Sequence, residues 1–383
     1  MKKILFFSHE SGLYGAPRSM FELVKNLKQD YKIEIVTFGE GGLIQAANDM
    51  QIPICNCSNW LMELETGNQK LTQLINKIGF NLSKLVIAVK VKRFNPDLII
   101  VNTMVNSFGV KIAKFMGIKL LVHVREGANY LQPSNQGTAK ITSQILEKTS
   151  NFICVSDGVK NLLLDKIGNK KVNVRRVYNG IDCCSFNNSQ KQNTLKIEGL
   201  ENKFIVGYLG SLVSRKGLDV FLSAAREISK TRQDIAFVVV GGSELQFTSL
   251  AKLYNVLDLI GNTVFHHPFI DNPKDAFDLF DIFCLTSHIE AFGRVTVEAT
   301  CANVPVIASA TDGSKEIIIH EETGLLFPPG DSESLMNSII RLTNDPQLRE
   351  KYAKAGFERV NKEFSSKKYV AECKSFIKEL IEE

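Results

Sequence analysis

No stretch of the 383-residue chain holds the roughly 18–20 uninterrupted apolar residues that a membrane-spanning helix needs. A signal peptide is not expected, on similar grounds. MKKILFF imitates a basic n-region, but its apolar run ends at Phe7 and Ser8, His9 and Glu10 follow. Ile4–Phe7 reads instead as a buried first strand, and a cytoplasmic protein is expected. Zinc spacing is missing as well. The eight cysteines (Cys55, Cys57, Cys154, Cys183, Cys184, Cys284, Cys301 and Cys373) are scattered, several in apolar runs such as FICVS and IFCLTS. They read as small buried hydrophobes in a reducing compartment, and no metal site is expected.

Acidic residues are unevenly sparse. Residues 1–180 carry 24 Lys+Arg against 13 Asp+Glu, leaving 22 against 28 for residues 181–383, and residues 66–96 have no acid at all. Within that gap, Lys70, Lys77, Lys84, Lys90, Lys92 and Arg93 interleave with Leu71, Leu74, Ile75, Ile78, Leu82, Leu85, Val86 and Val89. Steps of three and four predict a basic amphipathic helix over 70–93. It could pack on its own domain with its lysines in solvent, or dock on an anionic membrane surface, which would make the protein peripheral on the cytoplasmic membrane face. No recognition motif or aromatic interleaving accompanies the charge, so nucleic acid is not an expected partner.

Hydrophobic residues make up 44% of the chain and charged residues 23%, an ordinary globular balance, and 383 residues exceed one typical core. Short β-rich runs alternate with helix-period segments: 4–7, 33–38, 52–55, 97–101, 119–124, 152–156 and about 174–178, then 204–210, 236–242, 263–269, 282–287 and 305–309. That alternation predicts α/β architecture, two Rossmann-like doubly wound domains facing an interdomain cleft. The N-terminal domain is expected to span 1–182 plus a returning C-terminal helix, 366–383. A polar linker, 183–202, separates it from a C-terminal domain, 203–365.

Both domains open with strand, Gly-containing turn and amphipathic helix, which places both turns where open α/β sheets bind ligands. Gly12-Leu-Tyr-Gly15-Ala-Pro-Arg18 lacks the G-x-G-x-x-G spacing of a nicotinamide fingerprint, yet lets a backbone approach a ligand. Ser214-Arg215-Lys216-Gly217 sets two cations at the expected start of a helix, an unfavourable placement unless an anion sits between them. In HIEAFGRVTVEAT, residues 288–300, Glu290 should precede a helix starting near Gly293, and Glu298 should lie on it. Carboxylates accept hydrogens from vicinal diols and free backbone amides bind phosphate or sugar oxygens, so a nucleotide sugar suits the pattern.

Glu290-x7-Glu298 with AFG after the first acid, together with VSRKGLD, VVVGG, VYNGID and TDGSKEIIIHEETGLLF, resembles the retaining glycosyltransferases of family 4, which have the GT-B fold. The motifs occur in that family's order through nearly the whole chain. The resemblance implies that Glu290 meets donor-sugar hydroxyls, that Glu298 meets the ribose diol, and that Phe292, Gly293 and Arg294 present backbone amides to the donor. Arg215 and Lys216 would hold the diphosphate, Gly15 would approach it, and His267, Phe269 and Ile270 would cup the base. His123, in LVHVREG, matches a histidine near the transferring sugar. Arg18 and Arg125 are candidates for contact with the acceptor, and Asn179 and Gly180 look like a structural turn.

Arg294 departs from the apolar residue common in the family after FG. The implied activity is transfer of a hexose or N-acetylhexosamine from a nucleoside diphosphate sugar, UDP-linked, to an acceptor hydroxyl with retention. The acceptor, a glycan or lipid-linked intermediate, is left open, and no metal or other cofactor is expected. A GT-B nucleotide-sugar epimerase and an inactive nucleotide-sugar-binding protein are the alternatives.

Overall fold

The computed structural model describes residues 1–56, 85–105, 107–133, 135–186 and 195–382. By its internal contacts the chain forms two units, Met1–Gly180 with Lys367–Glu383, and Ile181–Ser366. Of the segment read from sequence as a linker, residues 187–194 lie outside the described residues. Cys183–Ser185 form a 3-10 turn inside the second unit.

The first unit is built on a parallel seven-stranded sheet of order β3-β2-β1-β4-β5-β6-β7. Its strands are β1 (Lys3–Phe7), β2 (Lys32–Thr37), β3 (Ile54–Asn56), β4 (Leu98–Val101), β5 (Lys119–Val124), β6 (Asn151–Cys154) and β7 (Asn173–Arg176). The second unit has a parallel six-stranded sheet of order β10-β9-β8-β11-β12-β13. Here the strands are β8 (Phe204–Leu209), β9 (Ile235–Val240), β10 (Val264–His267), β11 (Ile282–Leu285), β12 (Val306–Ser309) and β13 (Leu325–Phe327).

Unbroken apolar runs such as Ile235–Val240, buried at every residue, follow from helices covering both faces of each sheet. Three-residue β13, which pairs with β12, lies beyond the strands read from sequence. A run that short carries no period to detect.

Helices close the cores. Met20, Leu23, Val24 and Leu27 of the helix Gly15–Leu27 pack into the first core, as do Tyr369, Cys373, Phe376, Ile377 and Leu380 of the helix Ser366–Glu382. In the second unit, Leu218, Phe221, Leu222, Ala225 and Ile228 of the helix Leu218–Ser229 cover the sheet. Strand order reverses between β1 and β4 and again between β8 and β11. The crevices outside the carboxyl ends of those pairs are where doubly wound sheets take ligands.

Residues 57–84, and with them most of the basic amphipathic helix read over 70–93, lie outside the described residues. Residues 85–94 are helical. They bury Ile87, Val91 and Phe94, whereas Leu85, Val86 and Val89, the expected apolar stripe, are 62%, 58% and 44% exposed. Lys90 turns back to Glu34 at 3.5 Å. Apolar residues therefore occupy two faces of this segment, and sequence period alone picked the outer one.

The cysteines require a correction. Cys183 and Cys301, 118 residues apart, form a disulfide within the second unit, and Cys184 is exposed. Cys154, Cys284 and Cys373 are buried free thiols. Sequence spacing carried no trace of the pair because only folding brings the 3-10 turn at Cys183 to the end of the helix Arg294–Cys301. In protein purified without reductant, peptide mapping should recover a Cys183–Cys301 bridge. Cys183→Ser should then be less stable to urea than the oxidised wild type by about 2–4 kcal/mol and equal to the reduced one.

Candidate active site

In the second unit the loops after β8 and β11 are fastened together. Thr286, next after β11, donates its hydroxyl to the Gly217 carbonyl at 2.7 Å, and the His288 amide donates to the Arg215 carbonyl at 2.9 Å. His288 Nε2 lies 3.2 Å from Asp219, a partner that no sequence motif announced. Gly217 makes this closeness possible. Its φ is +67°, and a Cβ there would stand 1.9 Å from the Thr286 carbonyl oxygen.

Sequence reading put Arg215 and Lys216 at a helix start, but Ser214–Lys216 is a separate 3-10 turn. Gly217 caps the following helix, whose first turn carries Asp219, an acid that suits the positive end of the helix dipole. The two cations are thus displayed on a turn of their own. Lys216 Nζ lies 2.5 Å from Glu290 Oε2, which also accepts from the Ser287 hydroxyl at 3.2 Å. Burial opposes ionisation of Glu290, but the Lys216 and Arg215 charges and these hydrogen bonds outweigh it and hold the carboxyl below its ordinary value. Arg215 itself is exposed and has no side-chain hydrogen bond or ion pair among the described residues.

The HIEAFG loop is pinned from behind. Gly313 donates its amide to the Glu290 carbonyl at 3.3 Å and packs so closely that a Cβ would come within 2.5 Å of the Phe292 backbone. Phe292 is buried, its ring 5.8 Å from that of Phe364. Gly293, at φ +92°, turns the chain into the helix Arg294–Cys301. One turn along, Arg294 Nε donates to Glu298 Oε1 at 2.8 Å, and Glu298 is only 5% exposed. Both candidate carboxylates therefore already face a cation of this chain. His267 ends β10, with exposed Phe269 and half-buried Ile270 just beyond; the Phe269 amide donates to the Gly242 carbonyl at 3.0 Å.

In the first unit, Gly15 (φ +49°) opens its helix exposed after β1, and Arg18 lies one turn along, half-buried. His123, near the end of β5, is 1% exposed. Burial, with the Arg125 charge beside it, pushes its imidazole well below the ordinary range, so the ring is neutral. Arg125 is committed inside this unit: Nε donates to Asn102 Oδ1 at 2.9 Å, Nη1 to Asn179 Oδ1, and Nη2 to Tyr369 Oη at 3.0 Å and toward His123 Nδ1 at 3.0 Å. Neighbouring Glu126 accepts the Met104 and Arg125 amides at 3.0 and 3.1 Å, and burial pushes its carboxyl up.

The structure thus gathers Arg215, Lys216 and Glu290 in one constellation, pairs Arg294 with Glu298 on the adjoining helix, and sets His123 and Arg125 together in the other unit. Sequence reasoning passed over Thr286 and Asp219, whose partners Gly217 and His288 lie 69 positions away, and Ser287, whose hydroxyl meets Glu290 three residues on. Gly217 and Gly15 both hold positive φ, but a Cβ at Gly15 would meet nothing within 4 Å. Gly217→Ala should therefore lower the urea midpoint well beyond Gly15→Ala, by the clash added to roughly 1–3 kcal/mol of backbone strain common to both.

A family model described as Glycosyltransferase Family 4 matches residues 14–184, and one described as Glycosyl transferases group 1 matches residues 190–359. The chain is 28% identical over 184 residues, 48% of each protein, to the capsular polysaccharide biosynthesis glycosyltransferase CapM of Staphylococcus aureus. It is 30% identical over 223 residues, 56% of each, to a phosphatidyl-myo-inositol mannosyltransferase of Mycobacterium leprae. These matches span about half the length of those relatives. Among solved structures, Anabaena HepE in complex with UDP and glucose superposes with a TM-score of 0.83 at 21% identity, over 99% of this chain and 100% of that one, a likeness of fold. The two family models cover both units, and the chain belongs to the glycosyltransferases of family 4, with the GT-B fold.

Proposed function

We propose that the protein transfers a hexose or N-acetylhexosamine from a UDP-sugar to an acceptor hydroxyl with retention of anomeric configuration, in the synthesis of a surface glycan or polysaccharide. The observation that carries this reading is Arg215, an exposed cation without a hydrogen-bond or ion-pair partner among the described residues, beside the Lys216–Glu290 pair at the carboxyl ends of β8 and β11. Lys216 and Arg215 face one carboxylate, Glu290, while Asp219 is turned to His288, so a cation remains to meet a diphosphate. The UDP held by HepE and the capsular role in CapM's name support the choices of donor and pathway class.

In this reading Arg215 and Lys216 take up the charge that develops on the leaving diphosphate, a task needing no metal or other cofactor. As Lys216 turns to phosphate, Glu290 is released to accept hydrogens from sugar hydroxyls. Glu298 binds the ribose diol, and Arg294, paired with it at 2.8 Å, limits which donors fit. Backbone amides of Phe292, Gly293 and Arg294 meet the donor, as do Gly15, His267, Phe269 and Ile270. The acceptor attacks the face from which the diphosphate departs, and a leaving phosphate oxygen takes the hydroxyl proton. His123 offers the sugar a hydrogen bond. Arg18 and Arg125 are the acceptor candidates, and four of the five Arg125 N–H groups already donate within its own unit.

Release of UDP from UDP-sugars in the presence of acceptor extract should be detectable, and Arg215→Ala combined with Lys216→Ala should slow turnover by about 10²-fold or more. Wild-type kinetics in that double variant would reject the diphosphate role. We also propose a cytoplasmic protein, peripheral at an anionic membrane surface that presents a glycan or lipid-linked acceptor, docking through the basic segment 70–93. No described helix is long and apolar enough to cross a membrane. Co-sedimentation should be stronger with phosphatidylglycerol-containing vesicles than with phosphatidylcholine vesicles. Equal, negligible binding would remove the membrane from the reading.

A further inference from the structure

Arg125 reaches four separate parts of the first unit with one planar group. Through Asn102, whose amide donates in turn to the Ala16 carbonyl at 3.0 Å, it grips the first turn of the helix that follows β1. Through Asn179 it holds the last residues before the chain leaves the unit, and through Tyr369 the first helical turn after its return. The Tyr369 hydroxyl, 3.2 Å from the Ser19 carbonyl, passes a hydrogen bond on to the helix that follows β1. The fourth contact is His123 Nδ1.

That last contact fixes chemistry as well as position. A guanidinium only donates hydrogen bonds, so His123 Nδ1 must present its lone pair. A neutral imidazole has one ring hydrogen, which is then forced onto Nε2. That atom is buried and has no hydrogen-bond partner among the described residues. An unpaired buried donor is costly, and the cost falls when a ligand oxygen accepts from it.

We propose that Arg125 is a positioning residue for the transfer reaction: its fork fixes His123 as the Nε2–H tautomer and joins that ring to the two segments by which the chain leaves and re-enters the unit. The inference rests on the reading that His123 meets the donor sugar. Its role differs from acceptor binding, which would leave guanidinium donors open. Lysine cannot substitute, since an ammonium keeps the charge but cannot span four acceptors in one plane.

The test uses the full chain with 15N-labelled histidine and long-range 1H–15N correlation, the His123 signals being assigned by their loss in His123→Gln. In the wild type, Nε2 should be protonated and Nδ1 bare. In Arg125→Lys, checked as folded by its thermal transition, the ring should become a mixture of tautomers. Its kcat should fall about 10- to 100-fold through misplacement of the ring, while affinity for UDP alone stays within twofold of wild type.

A wild-type ring protonated on Nδ1 overturns the proposal, and so does an Arg125→Lys enzyme with unchanged tautomer and kcat. If Arg125→Lys does not fold, Tyr369→Phe, which removes one anchor of the same Nη2 group, decides by the same two readouts. A several-fold lower kcat with tautomer mixing supports the proposal, and wild-type values overturn it. The underlying reading fails separately: full activity in His123→Gln removes His123 from the reaction whatever its tautomer.

Discussion

The pairing of β8 with β11 is the constraint on which the candidate site of the second unit depends. These strands are 70 or more positions apart in sequence but neighbours in the sheet, and their carboxyl ends deliver two loops to one place. The loops can meet only because Gly217 has no side chain where the Thr286 carbonyl lies. Once they are joined, a turn bearing two cations stands over a loop bearing a carboxylate. The Lys216–Glu290 pair is then a consequence of topology, and the open Arg215 is what remains after the charges are matched.

That matching shapes the chemistry. A buried carboxylate left alone would become protonated, and one paired too well would be unavailable. Glu290 is held on the ionised side because Lys216 and Arg215 stand beside it, and the partner it touches is a lysine, a mobile point charge. Glu298 is held differently, by an arginine on its own helix one turn earlier, whose Nε donates to Oε1. The two acids share a stretch of thirteen residues but stand in unlike electrostatic settings.

Much of the architecture was legible before any coordinates. Strands buried on both faces announce themselves as unbroken apolar runs, and the helices after β1 and β8 as steps of three and four, because those periods are local properties of the backbone. The three residues of β13 were too few to show a period. At 85–94 two faces are apolar, and which of them is buried depends on what the rest of the unit offers. The cations of Ser214–Lys216 were read as part of a helix because nothing local distinguishes a 3-10 turn closed by a left-handed glycine from a first helical turn.

By itself the sequence determined the family, the doubly wound class and the residue types that gather at the ends of the strands, since motifs in order and apolar periodicity survive without coordinates. Only the tertiary structure decided which charges pair, that Cys183 and Cys301 are joined, and that Arg125 turns inward to hold His123 instead of outward to a ligand. Those facts depend on contacts between residues far apart in the chain. Distance along a sequence says nothing about distance in space until the sheet order is known.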